Sequence, residues 1–315
     1  MSFARRTLPA ITLATPALAQ GRPTRLIVPF PAGGGLDTLA RAIAEKLALA
    51  WGAPVLVDNR PGGATVPGTD AVAKATPDGH TLLMTADNSI TANPLVIRGL
   101  PHDPMRDLAP ISFLVGVHQM VVASPRLAAA DMAALVAAAR AAAVTYGSYG
   151  QGSQPHVLFS VLAADTGATF TEIPYRGLPP AVMAVLAGEV MLTLSGVASS
   201  REHIAAGTMR ALAVGRDTRL PQLPNVPTLI EAGFPAIDPR TWFGIFAPAG
   251  TPASVQGRIS TDIAAAMADP ALAARHLTPN GYTVHAAGPE ASRALVAADF
   301  VYKQQLLRRA GLLHA

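Results

Sequence analysis

The 315-residue chain contains no cysteine. Disulfides, cysteine nucleophiles and thiolate metal sites are therefore excluded. Charge is also scarce. Charged residues make up 14% of the chain, against about 25% in ordinary soluble proteins. Lysine occurs only at Lys46, Lys74 and Lys303, and the arginines are scattered, adjacent only at Arg5-Arg6 and Arg308-Arg309. The net charge of +4 is thus spread thinly, which does not fit a nucleic-acid footprint. The eight histidines are dispersed, with no close pair at ligand spacing, which argues against a metal centre. No apolar run is long enough for a membrane-spanning helix.

What is present begins with a leader pattern at residues 1–19. Arg5 and Arg6 form a positive start, Leu8 to Leu18 is mostly apolar, and Ala17-Leu18-Ala19 offers a small-residue cleavage site. The stretch is short and carries Pro9 and Pro16, so it reads as a secretory signal rather than a span. Arg5-Arg6 leaves the Sec and twin-arginine routes both open. Cleavage would remove two of the four net positive charges, leaving +2. The expected location is the periplasm.

The most informative stretch follows, Val28 to Asp37, VPFPAGGGLD. An apolar strand from Arg25 to Phe30 stops at Pro31. Gly33, Gly34 and Gly35 come next, and then a helix with Leu39, Ile43 and Leu47 on one face. Strand, glycine loop and helix N-terminus make an anion cradle. The glycines admit close approach, free N–H groups point outward, and the helix dipole favours negative charge.

Strands and helices alternate through most of the rest. The pattern predicts strands near 54–58, 80–85, 111–117, 120–123, 145–148, 170–173, 190–194, 210–214, 242–247 and 282–285. Helices are predicted near 66–74, 131–142, 154–164, 181, 203, 253–267 and 289–309. This argues for mainly parallel sheets covered by helices. The chain runs extended around His118 and again over 236–240. Two crossings predict a first lobe of 22–117 plus 240–315 and a second of 118–239, with a ligand cleft between them. A second glycine loop, Tyr146 to Ser153, repeats the strand–glycine–helix device in the second lobe. Gly150, Gly152 and Ser153 would face the first cradle and clamp an acid from the other side.

Enzyme readings find little support. Thr38 stands where a dinucleotide fingerprint needs its third glycine. No lysine follows the glycines as in a phosphate-binding loop, and no Ser sits in a G-x-S-x-G elbow. Ser153 and His156 lack an orienting acid nearby in sequence.

Ten segments in order resemble a family. They are VPFPAGGGLDTLAR (28–41), VDNRPGG (57–63), AVAKATPDGHTLL (71–83), NP (93–94), PHDPMRDLAPIS (101–112), YGSYGQGSQPH (146–156), PYRGLPPA (174–181), LAGEV (186–190), LPNVPTLIEAGFP (223–235) and WFGIFAPAGTP (242–252). They resemble the substrate-binding proteins of tripartite tricarboxylate transporters, the Bug family. The resemblance implies an α/β, two-lobed periplasmic binding protein type II-like fold with its ligand cleft between lobes. It implies a receptor that binds a small carboxylate and delivers it to a membrane permease, without cofactor, metal, nucleic-acid partner or catalytic residues, and as a monomer. A sensing subunit that presents a bound acid to a membrane signalling partner shares every pocket feature. An enzyme acting on a small acid is the remoter alternative.

The chain departs from the family in three places. Leu36 replaces a polar residue, Met191 to Gly196 lack the usual aspartates, and Arg176 replaces a lysine. Fewer acids disfavour an ammonium on the ligand, so a plain mono- or dicarboxylate is expected.

The candidate ligand-binding residues each have a plainer role. Phe30 is either a pocket wall or core. Asp37 contacts a water or an ammonium, or caps its helix. Thr85 and Asp87 end a strand at the cleft edge. Ser153 donates to a carboxylate or caps a helix. His156, one turn in, is packed or binding. Arg176 is a cation for the ligand or a solvated surface group. Ser195 stands where relatives carry an acid.

Overall fold

A computed structural model describes residues 21–215, 217–235, 237 and 239–313. The expected leader lies outside the described residues. Among the described residues, eleven strands form two sheets. In chain order the strands are β1 Thr24–Val28, β2 Val55–Asn59, β3 Thr81–Ala86, β4 Leu108–Val117, β5 Gln119–Ala123, β6 Val144–Ser148, β7 Phe170–Pro174, β8 Leu192–Gly196, β9 Arg210–Val214, β10 Thr241–Pro248 and β11 Thr283–Ala287. The helices of eight residues or more are α1 Gly35–Trp51, α2 Val66–Ala73, α3 Met132–Ala141, α4 Gln154–Thr166, α5 Leu178–Ala187, α6 Val197–Ala205, α7 Ala253–Met267 and α8 Pro289–Arg309.

The six-stranded sheet runs β11-β4-β10-β3-β1-β2, and the five-stranded sheet runs β7-β6-β8-β5-β9. The chain passes from one sheet to the other at His118, the single residue between β4 and β5. It returns just before β10. The fold is that of an α/β protein with two sheets, as the strand–helix alternation predicts. The sheets are mixed, however, not mainly parallel. β1 pairs parallel with β2 and β3, and β6 with β7 and β8. β10 runs antiparallel to β3 and β4, and β5 antiparallel to β8 and β9. The reason is connectivity. Helices return the chain between β1 and β2 and between β6 and β7, giving parallel neighbours. Among the described residues no helix intervenes at the two crossings, so β5 and β10 enter their sheets the other way round.

Each sheet has its own apolar core. Leu26, Leu39, Ile43, Leu47, Leu82, Ile111 and Ile263 pack on the six-stranded sheet. Val121, Leu135, Phe159, Leu162, Leu192 and Leu212 pack on the other. The predicted helical face of α1 is the buried one. Asp131 caps α3, its carboxylate accepting from the Ala134 N–H.

The C-terminal helix α8 touches both cores. Val296 packs with Phe113 and Trp242 of the six-stranded sheet, whereas Leu306 and Leu307 enter the core of the five-stranded one. Arg309 adds an ion pair at 2.5 Å to Asp165 of α4.

Candidate ligand-binding site

A cavity of about 90 Å³ lies where the two sheets meet. Two helix N-termini, one from each sheet's side of the fold, contribute to its lining. From the first sheet come Gly34, Gly35, Leu36 and Asp37 at the start of α1. From the second come Gly196, Val197, Ala198 and Ser199 at the start of α6. In each case these are the N-cap and first three helical residues. The first N–H groups of a helix have no intrahelical acceptor, so both ends present free donors and a positive dipole end to one space. Leu178 and Pro179, the start of α5, also line it.

The loop before α1 is held by its own aspartate. Asp37 accepts from the Gly33 N–H (2.9 Å), from Asn59 Nδ2 (2.8 Å) and from Arg41 Nε (3.1 Å). Asn59 Nδ2 also donates to the Phe30 carbonyl at 3.1 Å. Gly33 adopts φ of 85°, a left-handed conformation that favours glycine. Burial opposes ionisation of Asp37, but the bonds from Arg41, Gly33 and Asn59 outweigh it and hold the carboxyl below its ordinary value. Asp37 is 3% exposed. It is not the N-cap, which is Gly34. Instead it reaches back from the first turn and fixes the loop.

Asp87 lines the cavity just beyond β3, and its carboxylate is equally occupied. Lys303 of α8 pairs with it at 2.7 Å, and both side chains are 1% exposed. Gln154 Nε2 and Thr241 Oγ1 donate to it as well. Burial works against the Lys303 ammonium, yet Asp87 and Asp299 more than restore it, so its pKa is raised. Asp299 is pushed up chiefly by burial.

The remaining wall is apolar with neutral polar groups. Phe30, Pro31, Leu36, Val117, Val197 and Phe243 supply the apolar part. Gln119, Tyr149, Gln154, Thr241 and Tyr282 supply the polar part. Burial pushes the Tyr149 and Tyr282 hydroxyls well above their ordinary values, so both remain neutral donors. No arginine, lysine or histidine is among the described lining residues. An anion here is therefore met by N–H dipoles and hydroxyls, not by a cation.

Of the residues singled out from sequence, Phe30, Gly34, Gly35, Asp37 and Asp87 lie on the cavity, and Gly33 shapes its loop. The others lie elsewhere. Thr85 is buried beneath, bonded to Ser89 at 2.6 Å. Gly152 packs against the residues beyond β3, where a side-chain carbon would stand 2.9 Å from Val96 Cγ2. Gly150 donates its N–H to Ser148. Ser153 is fully buried, and its hydroxyl finds no partner among the described residues. His156 accepts from the Gly152 N–H at 3.2 Å, and its pKa is lowered by burial. Arg176 is exposed. Ser195 accepts from Ser200 Oγ at 2.6 Å. Among the described residues, the second glycine loop thus reaches the cavity through Tyr149 within it and Gln154 just after it, and not through its glycines. Gly152 packs against Ala92, Asn93 and Val96 beyond β3, whereas Gly147 packs against Tyr175 and Ala181. The second helix end on the cavity is that of α6, which sequence reading missed. Gly196 is a lone glycine before an unremarkable helix, and only the sheet order reveals where it points. Met191, one of the departures noted above, packs against the five-stranded core.

Two α/β sheets with a ligand-sized cavity at their junction define the periplasmic binding protein fold, and solved structures of that class superimpose on this one. The periplasmic binding protein BugD does so at TM-score 0.86 and 30% identity, covering 93% of this chain and 99% of its own. An R. palustris protein determined with adipate gives 0.87 at 30%, covering 92% and 98%. MatC from Rhodopseudomonas palustris with bound malate gives 0.84 at 25%, covering 90% and 99%. Protein BugT of Bordetella pertussis is 34% identical over 293 residues, 92% of this chain and 90% of BugT. Residues 39–312 match the tripartite tricarboxylate transporter family receptor, and the chain belongs to that family of solute receptors.

Proposed function

We propose that this receptor works in the periplasm, binds a small mono- or dicarboxylate without an amino group, and delivers it to the membrane permease subunits of its transporter. The observation that carries this reading is the pair of helix N-termini, α1 and α6, on one cavity that no cation lines among the described residues. Each exposed helix end contributes about 0.3–1 kcal/mol to an anion, and more when partly buried. An ammonium would fare poorly. Both acids on the cavity already have their oxygens engaged, Asp37 by Arg41, Asn59 and Gly33, and Asp87 by Lys303, Gln154 and Thr241. A desolvated ammonium would lack partners.

Residues 22–117 plus 240–315 act as one lobe and 118–239 as the other, closing on the ligand about the two crossings. The core contacts of Leu306 and Leu307 make α8 the element that ties the lobes together. Residues 1–19 direct export and are removed. The protein binds and releases its acid unchanged.

A thermal-shift screen against carboxylic acids, followed by calorimetry, tests the reading. A ligand at about 100 times its Kd adds roughly 2.7 kcal/mol to stability and raises the melting temperature. Succinate, citrate or nicotinate analogues should bind more tightly than aspartate or glutamate. Tighter binding of the amino acids would overturn the ligand class.

A further inference from the structure

Gln119 is the first residue of β5 and lines the cavity, yet it is only 6% exposed. Its Oε1 is buried with no hydrogen-bond partner among the described residues. Its Nε2 makes one long contact, 3.4 Å to the Tyr149 hydroxyl. A buried amide left half-satisfied is costly unless something else completes it. In the sheet register Gln119 pairs directly with Gly196. Gly196 is the N-cap of α6, so the backbone of Gln119 adjoins the second of the two helix ends on the cavity, whose lining Gln119 shares.

We propose that Gln119 is a specificity-determining residue that reads a second polar group on the ligand, making this a receptor for two-ended acids. The inference rests on the carboxylate reading above and adds a preference within it. One carboxylate of the ligand sits at the start of α1. The other end, a second carboxylate or a hydroxyl, reaches α6 and completes the hydrogen bonding of Gln119. Either partner is chemically served. With Oε1 toward the ligand the amide accepts from a hydroxyl. Turned about its last torsion it takes the Tyr149 hydroxyl on Oε1 and donates Nε2–H to a carboxylate. A monocarboxylate of the same chain length puts a methyl group there and leaves the amide unpaired. The apolar wall from Phe30, Leu178 and Phe243 then covers the methylenes between the two ends.

The experiment measures calorimetric affinities of the full receptor for adipate, 6-hydroxyhexanoate and hexanoate, and repeats them with succinate and butyrate. Wild type should favour the two-ended acids by about tenfold or more, the value of one hydrogen bond to a charged or buried group. Adipate ahead of the hydroxy acid shows the amide donating, and the reverse shows it accepting. Gln119→Met keeps volume and removes the polar atoms. It should lose about tenfold or more for the preferred two-ended acid and less than about threefold for the monoacid. Its melting temperature without ligand should not fall, because an unsatisfied amide has been removed. Equal losses for both acids, an unchanged preference, or a lowered melting temperature with the preference intact would each overturn the role of Gln119. Wild type that binds no carboxylate at all would instead overturn the carboxylate reading, and this proposal with it.

Discussion

Gly34 and Gly196 are conformational counterparts on the lining of one cavity. Their backbones are almost superimposable, with φ/ψ of −78°/166° and −79°/169°, and each caps the N-terminus of a helix that faces the same space. Neither angle pair lies in the left-handed region, so the backbone itself does not demand glycine. Nor does packing demand it, so a side chain at either position would stand in open space. A Cβ at Gly196 meets no atom within 4 Å, and one at Gly34 meets only the Pro31 carbonyl, at 4.0 Å.

Valine at either position is therefore expected to leave the fold intact and to occupy the anion cradle. Gly34→Val and Gly196→Val should each keep the melting temperature of the ligand-free protein within a few degrees. Each should weaken carboxylate binding by more than about tenfold, through lost approach to free N–H groups. Calorimetry on both variants checks this. Retained affinity in Gly196→Val would remove α6 from the site.

Gly35 answers to a different constraint. A Cβ there would stand 2.5 Å from the Tyr282 hydroxyl oxygen and 3.9 Å from its Cζ. Gly35→Ala should cost about 1–3 kcal/mol by overpacking. Tyr282→Phe removes the clashing atom and leaves an ordinary carbon contact. The double variant should thus recover most of the stability while losing the hydroxyl as a ligand donor. Chemical denaturation of the two single variants and the pair measures the coupling. Additive effects would show that the two residues do not meet.

Much of this architecture is legible in the sequence because it is locally encoded. The helices at 253–267 and 289–309 follow from amphipathic spacing and boundary residues, and the β1–loop–α1 unit from proline, three glycines and a periodic helix. The helical turns over 88–96 have no comparable signal, since Asn88 to Asn93 are buried and mostly polar, and Ser89 and Asn93 bond to Thr65 and Ala64, far back in the chain. The antiparallel entry of β5 and β10 is likewise non-local. The site was half legible for the same reason. The first cradle is written in consecutive residues. Gln119, Tyr282 and α6 reach the cavity only through sheet order. Lys303 reads as a solvated lysine on a surface helix, and its partner Asp87 lies far back in the chain.

That pair sets the next expectation. Asp87 and Lys303 meet at 2.7 Å with almost no solvent access, and Asp299 lies close enough to raise the lysine further. Removing one partner of such a pair leaves an uncompensated buried charge, which costs about 3–5 kcal/mol. Lys303→Met should fall in that range by urea denaturation. Asp87→Asn combined with Lys303→Met should be less destabilised than Lys303→Met alone, because the stranded carboxylate has gone. A double variant that is worse than the single would show that Asp87 matters through Gln154 and Thr241 and not through charge.

Asp37 makes the α1 loop sensitive to acid. Burial alone would raise its pKa, but the bonds from Arg41, Gly33 and Asn59 prevail and lower it in the folded protein. A carboxyl with a depressed folded value binds fewer protons folded than unfolded between the two values. Its stabilisation is complete above the ordinary aspartate value of about 3.9 and is lost as pH falls through the lower folded value. Asp37→Asn keeps one acceptor for the Gly33 N–H and gives up the ion pair with Arg41, which spans 3.0 Å. The melting temperature of wild type should exceed that of the variant at neutral pH, and the gap should close as pH falls from the ordinary aspartate value through the lower folded value. Carboxylate affinity should drop in the variant at neutral pH, because the loop that aims the Gly35 to Asp37 N–H groups is less firmly held. A gap that stays constant across this range, or widens in acid, would show that Asp37 does not stabilise the loop as an anion.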